Sequence, residues 1–116
     1  MTVEFTAQNA PLELDLGEPA AKPTATTPGV VEAAKSIWEA GGVDLGFWEC
    51  SPGSFTATRE GYSEICQILS GSVKITTDGG ESVRLEAGDT IVMPSGWRGT
   101  WDVHETVRKT YVIIND

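Results

Sequence analysis

Beyond Gly42 the chain is cut into short β-prone runs by turn-forming residues, and this punctuation restricts the fold more than any other feature. The runs VDLGFWEC, SFTAT, YSEICQIL, SVKITT, SVRL, TIVM, GTWDV and TVRKTYVII are separated at Pro52-Gly53, Gly61, Ser70-Gly71, Asp78-Gly79-Gly80, Ala87-Gly88-Asp89 and Pro94-Ser95-Gly96. Glycine supplies the positive φ of tight turns, and proline stops a strand because it has no N–H for the ladder. Many short strands joined by tight turns predict an all-β sandwich or barrel. Alternation agrees with this: Val73 and Ile75 share one face and Lys74 and Thr76 the other, while Val83 and Leu85 oppose Ser82 and Arg84. The segment ITTDGGESV reads as a hairpin.

The first residues have a different texture. Between Met1 and Gly29 four prolines (Pro11, Pro19, Pro23, Pro28) interrupt any helix or long strand, and Phe5, Leu12, Leu14 and Leu16 are spaced like anchors on an extended segment. Residues 1–29 are therefore predicted to be an extended arm, lying along the barrel or reaching a partner subunit, and residues 30–116 to be the barrel domain. From Val30 to Trp38 the spacing of Val30, Val31, Ala34 and Trp38 fits a helix of at most two turns, and a strand near Ile37 fits equally.

With 116 residues and 40% apolar content, the chain suits one domain around one core. A formal net charge of -9 and only 8 scattered Lys and Arg argue against nucleic-acid or anionic-membrane partners, which require clustered cations. Cys50 and Cys66 are expected to be reduced and buried, since the opening residues MTVEFTAQNAPLE show neither a basic nor an apolar targeting region. No apolar stretch approaches a membrane span, so a cytoplasmic protein is expected. A serine nucleophile elbow, a phosphate-binding glycine loop and zinc-finger spacing are all absent.

Two segments carry a familiar pattern: PGSFTATREGYSEICQILSG, from Pro52 to Gly71, and GDTIVMPSGWRGTW, from Gly88 to Trp101. They resemble the two cupin motifs, with Glu64 and Gly71 at the closing positions of the first and Gly88, Pro94 and Gly96 at those of the second. The flanking words FWECSPGSF, PSGWRGTW and VRKTY look like those of small single-domain cupins of largely unknown function related to the cupin domains of ureidoglycine aminohydrolase. The resemblance spans roughly residues 37–112 and implies an RmlC-like jelly roll, that is, a double-stranded β-helix. It also implies a metal held by inward-pointing histidines and a carboxylate.

Those histidines are missing. The first-motif positions hold Ala57, Thr58, Arg59, Glu60 and Gly61, and Gly99 and Thr100 stand around the second-motif position. The single histidine, His104, lies at an odd offset beyond it, which turns a strand side chain to the opposite face, so a surface or turn position is expected. Glu64, with at best Cys66 beside it, would bind a divalent ion weakly and without selectivity, and no cofactor is expected.

If Glu64 points inward, Tyr62, Cys66 and Ile68 share its face and line an apolar cavity containing one acid. On the last run Val107, Lys109, Tyr111 and Ile113 share a face; an inward Lys109 would pair with Glu64 or fix a ligand carboxylate, and an outward one would be a surface lysine. Trp48, Trp97 and Trp101 suit either aromatic pocket walls or packing. Arg59 and Arg98, beside the motif turns, suit either recognition of a carboxylate or a solvated rim. Cys66 reads first as a small buried hydrophobe rather than a nucleophile.

Three functions are compatible with these residues. The first is metal-independent binding of a small polar or anionic molecule by Trp48, Trp97, Trp101, Arg59, Arg98, Tyr62, Cys66 and Tyr111 around Glu64 and Lys109. The second is a cupin hydrolase or isomerase, of the ureidoglycine aminohydrolase type or another, with Glu64 and Lys109 as acid and base. The third is a structural or regulatory homodimer, paired through sheet edges and the N-terminal arm.

Overall fold

The computed structural model describes residues 2–116 and is built from strands alone: β1 (Ala20–Ala21), β2 (Val31–Ala40), β3 (Val43–Cys50), β4 (Gly53–Thr58), β5 (Tyr62–Thr77), β6 (Ser82–Glu86), β7 (Thr90–Met93) and β8 (Arg98–Asn115). All pairings are antiparallel, along the path β1-β2-β3-β8-β5-β6, with β4 on β8 and β7 on β5. The expected all-β jelly roll is thus the fold observed. Among the described residues no helix is long and apolar enough to cross a membrane.

The segment that allowed a helix, Val30 to Trp38, is strand from Val31 onward. Its two glycines explain why: Gly41 and Gly42, at φ 57° and 80°, form a two-residue loop between the paired Ala40 and Val43. Two positive φ values in succession match the twist of an antiparallel hairpin, so Gly-Gly here joins strands rather than ending a helix. The Asp78-Gly79-Gly80 turn closes the β5–β6 hairpin, with Gly80 N–H donating to Thr77 O at 2.9 Å.

Two breaks expected from the sequence are not breaks. YSEICQIL and SVKITT form one 16-residue strand, and GTWDV and TVRKTYVII one 18-residue strand. These two long strands build both halves of the domain. The first half of β5 (Glu64 to Ile68) lies between β7 and the second half of β8, next to β3 and β2; the second half of β5 (Ser72 to Thr76) lies between β6 and the first half of β8, next to β4. The pairing shifts register three times between Ile68 and Val73, where the strands bend from one half into the other. Gly71, at φ 85°, permits the bend, because a Cβ there would run into the backbone of Thr106 and Val107 on β8. Trp101, Ile68, Met93, Val73 and Val107 fill the space between the halves, all essentially inaccessible.

The N-terminal arm is ordered against the outside of the barrel at specific points. Arg108, which faces outward on β8, donates from Nη1 to the carbonyls of Pro11 and Leu14 at 2.8 Å each, while its Nε lies 3.2 Å from Glu49. Phe47 also faces outward on β3 yet is buried, and Leu14 and Leu16 of the arm are half-buried. Further on, Lys22 N–H donates to Val30 O and Thr26 N–H to Ser54 O, which draws the end of the arm over the barrel mouth.

Gly71→Ala is expected to cost about 3 kcal/mol, combining left-handed backbone strain with a clash against an unyielding strand. Gly88→Ala, at φ 94° with no atom near its added Cβ, is expected to cost only about 1 kcal/mol. Urea unfolding of both variants checks the difference; equal losses would mean that the close approach at Gly71 contributes nothing.

Candidate functional site

Between the two halves of the barrel lies a pocket of about 410 Å³, open to solvent on one side and lined by a buried carboxylate. Alternation along β5 turns Glu64 inward, and alternation along the second half of β8 turns Lys109 to the same face. In the register Lys109 sits opposite Ile68 and Glu64 opposite Ile113, so the two meet diagonally through the length of their side chains. Lys109 Nζ donates to Glu64 Oε2 at 2.7 Å, and Cys66 Sγ donates to the same oxygen at 2.8 Å. Arg59 Nε stands 3.0 Å from the other oxygen, Oε1, as an ion pair without hydrogen-bond alignment.

Aromatic rings hold the cations in place. Trp48, the β3 neighbour of Lys109, and Trp101, from the opposite half, have ring centroids 4.4 and 4.6 Å from Lys109 Nζ. An ammonium over two indole faces is attracted by their quadrupoles, and more strongly where water is excluded. Arg59 is fixed through its own backbone, accepting from Gly96 N–H at 2.6 Å and donating to Trp97 O at 2.8 Å. The turn after Pro94 therefore clasps the arginine that faces Glu64.

A second ion pair closes the mouth. Lys22 Nζ lies 2.8 Å from Glu32 Oε1, which also accepts from Trp48 Nε1 at 2.8 Å, and the ammonium stands 4.4 Å from the Phe55 ring centroid. Neither Lys22 nor Glu32 was singled out in the sequence. Lys22 sits in the proline-rich arm, where there is no periodicity to assign it a face, so no local signal marks it. Glu32 shares a face with Ala34 along β2, but that argument needs the segment to be known as strand.

Of the residues singled out from the sequence, Glu64, Lys109, Tyr62, Trp48, Trp101, Arg59 and Tyr111 come together on the cavity wall. Cys66 lies behind Glu64, away from the open space. Trp97 packs outside the cavity, donating from Nε1 to Thr77 Oγ1 at 2.9 Å, and Arg98 lies on the surface 3.9 Å from Glu60. Arg59 is buried rather than on a solvated rim, and His104 is exposed.

Burial by itself pushes the Glu64 carboxyl upward, but the Lys109 ammonium, the Arg59 guanidinium and the hydrogen bonds outweigh it and hold the group below the ordinary carboxylate range. Burial pushes the Cys66 thiol up to about 12 and the Cys50 thiol up to about 11. Burial, with Asp44 and Glu64 nearby, raises the Tyr111 phenol to about 12, so it faces the cavity as a neutral hydroxyl. At neutral pH the site thus holds Glu64 as a carboxylate beside a neutral Cys66 thiol and a neutral Tyr111 hydroxyl.

Among the described residues no three His, Cys, Asp or Glu side chains gather as a metal site. Both Glu64 oxygens already face cations, and an ammonium occupies the space over the carboxylate. These residues do not fit a divalent ion, which needs convergent neutral or anionic donors.

A two-layered antiparallel barrel with its site between the layers, its long strand bent at Gly71 and its turns at Gly88 and Gly96, has the architecture of a cupin. A model of the EutQ-like cupin domain matches residues 37–111, and the chain belongs to that family. It is similar to the EutQ protein of Clostridium difficile, at 24% identity and a TM-score of 0.68 over 78% of this chain and 73% of that one. A Thermotoga maritima protein from a domain family of unknown function is 38% identical, with a TM-score of 0.53, over 56% of this chain and 73% of that one. A Pseudomonas syringae protein of unknown function is 21% identical, with a TM-score of 0.71, over 84% of this chain and 42% of that one. No curated protein sequence matches the chain.

Because the Glu64 carboxyl is lowered on folding, its ion pairs stabilise the protein fully above the ordinary value of 4.5, and that contribution is lost as pH falls through the lowered folded value. Glu64→Gln is expected to flatten this acid limb of the stability curve, leaving the smaller part due to Glu32, whose carboxyl is also lowered. Lys109→Met is expected to cost about 3 kcal/mol at neutral pH by leaving Glu64 short of a partner. Denaturant unfolding between pH 3 and pH 8 reads both. An unchanged acid limb in Glu64→Gln would mean that the pair is already broken in solution.

Proposed function

We propose that the cavity binds a small organic anion carrying one carboxylate or a comparable group, without a resident metal. One observation carries this reading: three cations on the pocket wall, Lys22, Arg59 and Lys109, are paired with only two carboxylates, Glu32 and Glu64. These five groups by themselves carry one positive charge in excess, with Asp44 a further acid near Tyr111, inside a chain whose formal net charge is -9. Two cations sharing the single carboxylate of Glu64 are only partly balanced, and an entering anion both completes the balance and receives charge-assisted hydrogen bonds. The rings of Trp48, Phe55, Trp101 and Tyr62 on the walls suit an apolar or flat body attached to that anionic group. Lys22 at the mouth and the neutral Tyr111 hydroxyl are the donors left nearest open space.

A hydrolase of the ureidoglycine aminohydrolase type is the second reading, supported by the Glu64–Lys109 pair on the cavity wall. In that case Glu64 would accept a proton and Lys109 return one, and a pH–rate profile would collapse in Glu64→Gln.

Thermal-shift titration with benzoate and with benzamide separates charge from shape. Benzoate is expected to stabilise the protein in a concentration-dependent way and benzamide not to. Lys22→Gln is expected to weaken benzoate binding about tenfold, the loss of one charge-assisted contact. Elemental mass spectrometry of untagged protein is expected to find no stoichiometric metal, and manganese, zinc, nickel and iron are expected to leave the melting temperature unchanged. Stabilisation by any of these metals, or equal effects of benzoate and benzamide, would overturn the reading.

A further inference from the structure

Tyr62 and Ile113 line both the pocket that holds the cations and a second hollow of about 520 Å³, so the two spaces adjoin across these side chains. Their charges are opposite. The second hollow is lined by Glu39 and Asp44 and by no lysine or arginine. Asp44 is in step along β3 with Gly46 and with Trp48, which packs in the core, so it lies on the interior side of the sheet. The register shift between Ser36 and Trp38 sets Glu39 directly opposite Asp44 on that same side. Like charges at opposed positions of a ladder repel unless something positive stands between them. Asp44 Oδ1 accepts from Ser36 Oγ at 2.6 Å, and neither acid has an ion-pair partner among the described residues.

A separate feature, between the cations and these acids, points to a ligand. Tyr111 is only 8% exposed and lines the pocket, yet its hydroxyl has no hydrogen-bond partner among the described residues. A polar group at that depth is ordinarily paired. The phenol lies across β3 at its ladder partner Gly46, where any Cβ would run into the Tyr111 hydroxyl and the Lys35 carbonyl. Glycine thus leaves the ring a place two residues from Asp44. Asp44 and Glu39 are close enough to help keep the phenol neutral, so its oxygen is free to accept from a cationic N–H.

The two ends are well separated. Trp48, whose ring centroid is 4.4 Å from Lys109 Nζ and 5.6 Å from Lys22 Nζ, is four residues from Asp44, about 13 Å of strand. Arg59, near the shared Tyr62 ring, is turned to Glu64. An anion alone would use only the Lys22 end and leave the two acids and the phenol unmatched. A hard metal ion in the second hollow would find too few oxygens, since it takes six or more. An organic ammonium has three N–H donors, which two carboxylates and a phenol oxygen can receive.

We propose that the ligand is a zwitterion, an amino acid whose amine and carboxylate stand at opposite ends of an apolar body: the carboxylate binds at Lys22, the ammonium at Asp44 and Glu39, and the Tyr111 hydroxyl serves the amine end. This rests on the anion reading above and adds a second, cation-selecting end to it.

Isothermal titration calorimetry of the full chain with 4-(aminomethyl)benzoate, 4-ethylbenzoate and benzylamine tests it, because the first two have nearly the same shape and differ in one positive charge. The aminomethyl compound is expected to bind about tenfold more tightly than 4-ethylbenzoate, the gain of one charge-assisted contact, and benzylamine more weakly than either. Asp44→Asn, which keeps an acceptor for Ser36, is expected to bring the ratio of the two dissociation constants from about ten to about one. Glu39→Gln, at an exposed position, is expected to lower it to about three and serves if Asp44→Asn fails to fold. Glu81→Gln, which lines neither space, is expected to keep the full ratio. Binding of 4-ethylbenzoate as tightly as the aminomethyl compound would overturn this inference and leave the anion reading standing, as would a preference that persists in both acid variants. Binding of benzylamine alone, or of none of the three, would overturn both.

Discussion

Glu64 is the group around which the interior is arranged. A carboxylate taken out of water between two sheets is unfavourable unless positive charge and donors surround it, and here they come from three separate parts of the chain. Lys109 requires β8 to lie beside β5, Arg59 requires the turn after Pro94 to grip its backbone, and Cys66 requires the strand to stay regular between residues 64 and 66. Once Lys109 is placed, Trp48 and Trp101 must stand on either side of it, which brings the two layers of the barrel to one distance. A polar cluster of this kind specifies its surroundings more closely than an apolar core of the same volume, because each donor has one place to go.

The same cluster changes what a cupin interior can do. Where the fold ordinarily gathers imidazoles around an ion, this chain places an ammonium and a guanidinium against a single carboxylate. Positive charge therefore comes from fixed side chains, with geometry set by their stems and by the indole rings, rather than from an ion with open coordination positions. Neither Lys109 nor Arg59 offers an exchangeable coordination position. The EutQ-like family membership establishes the domain type and leaves the chemistry of the site to be argued from these side chains.

The outside of the barrel follows a different logic. One face of five strands carries apolar side chains aligned by the same register that places Glu64 and Lys109 inside. Register thus links the two surfaces: a one-residue slip of β5 would expose Glu64 and bury Ile65. The arm belongs to both sides of this division, held outside by Arg108 and ending over the mouth with Lys22.

The strands, the hairpin at Gly79 and the inward faces of β5 and β8 were legible in the sequence because each depends on neighbouring residues: turn formers and a two-residue period are local properties. The inward sets containing Glu64 and Lys109 followed from that period once a barrel was assumed. The strand nature of Val31–Ala40 was ambiguous, because Gly-Gly ends a helix or turns a hairpin according to what lies beyond it. The continuity of β5 through Ser70-Gly71 was hidden as well, since only the approach of the Thr106 backbone shows why glycine stands within a strand. Lys22 and Glu32 at the mouth, the indoles on both sides of Lys109, and the excess of one positive charge were decided by tertiary structure alone. Each joins residues far apart in the chain, and the energy of a charge depends on which groups surround it in space rather than on its sequence neighbours.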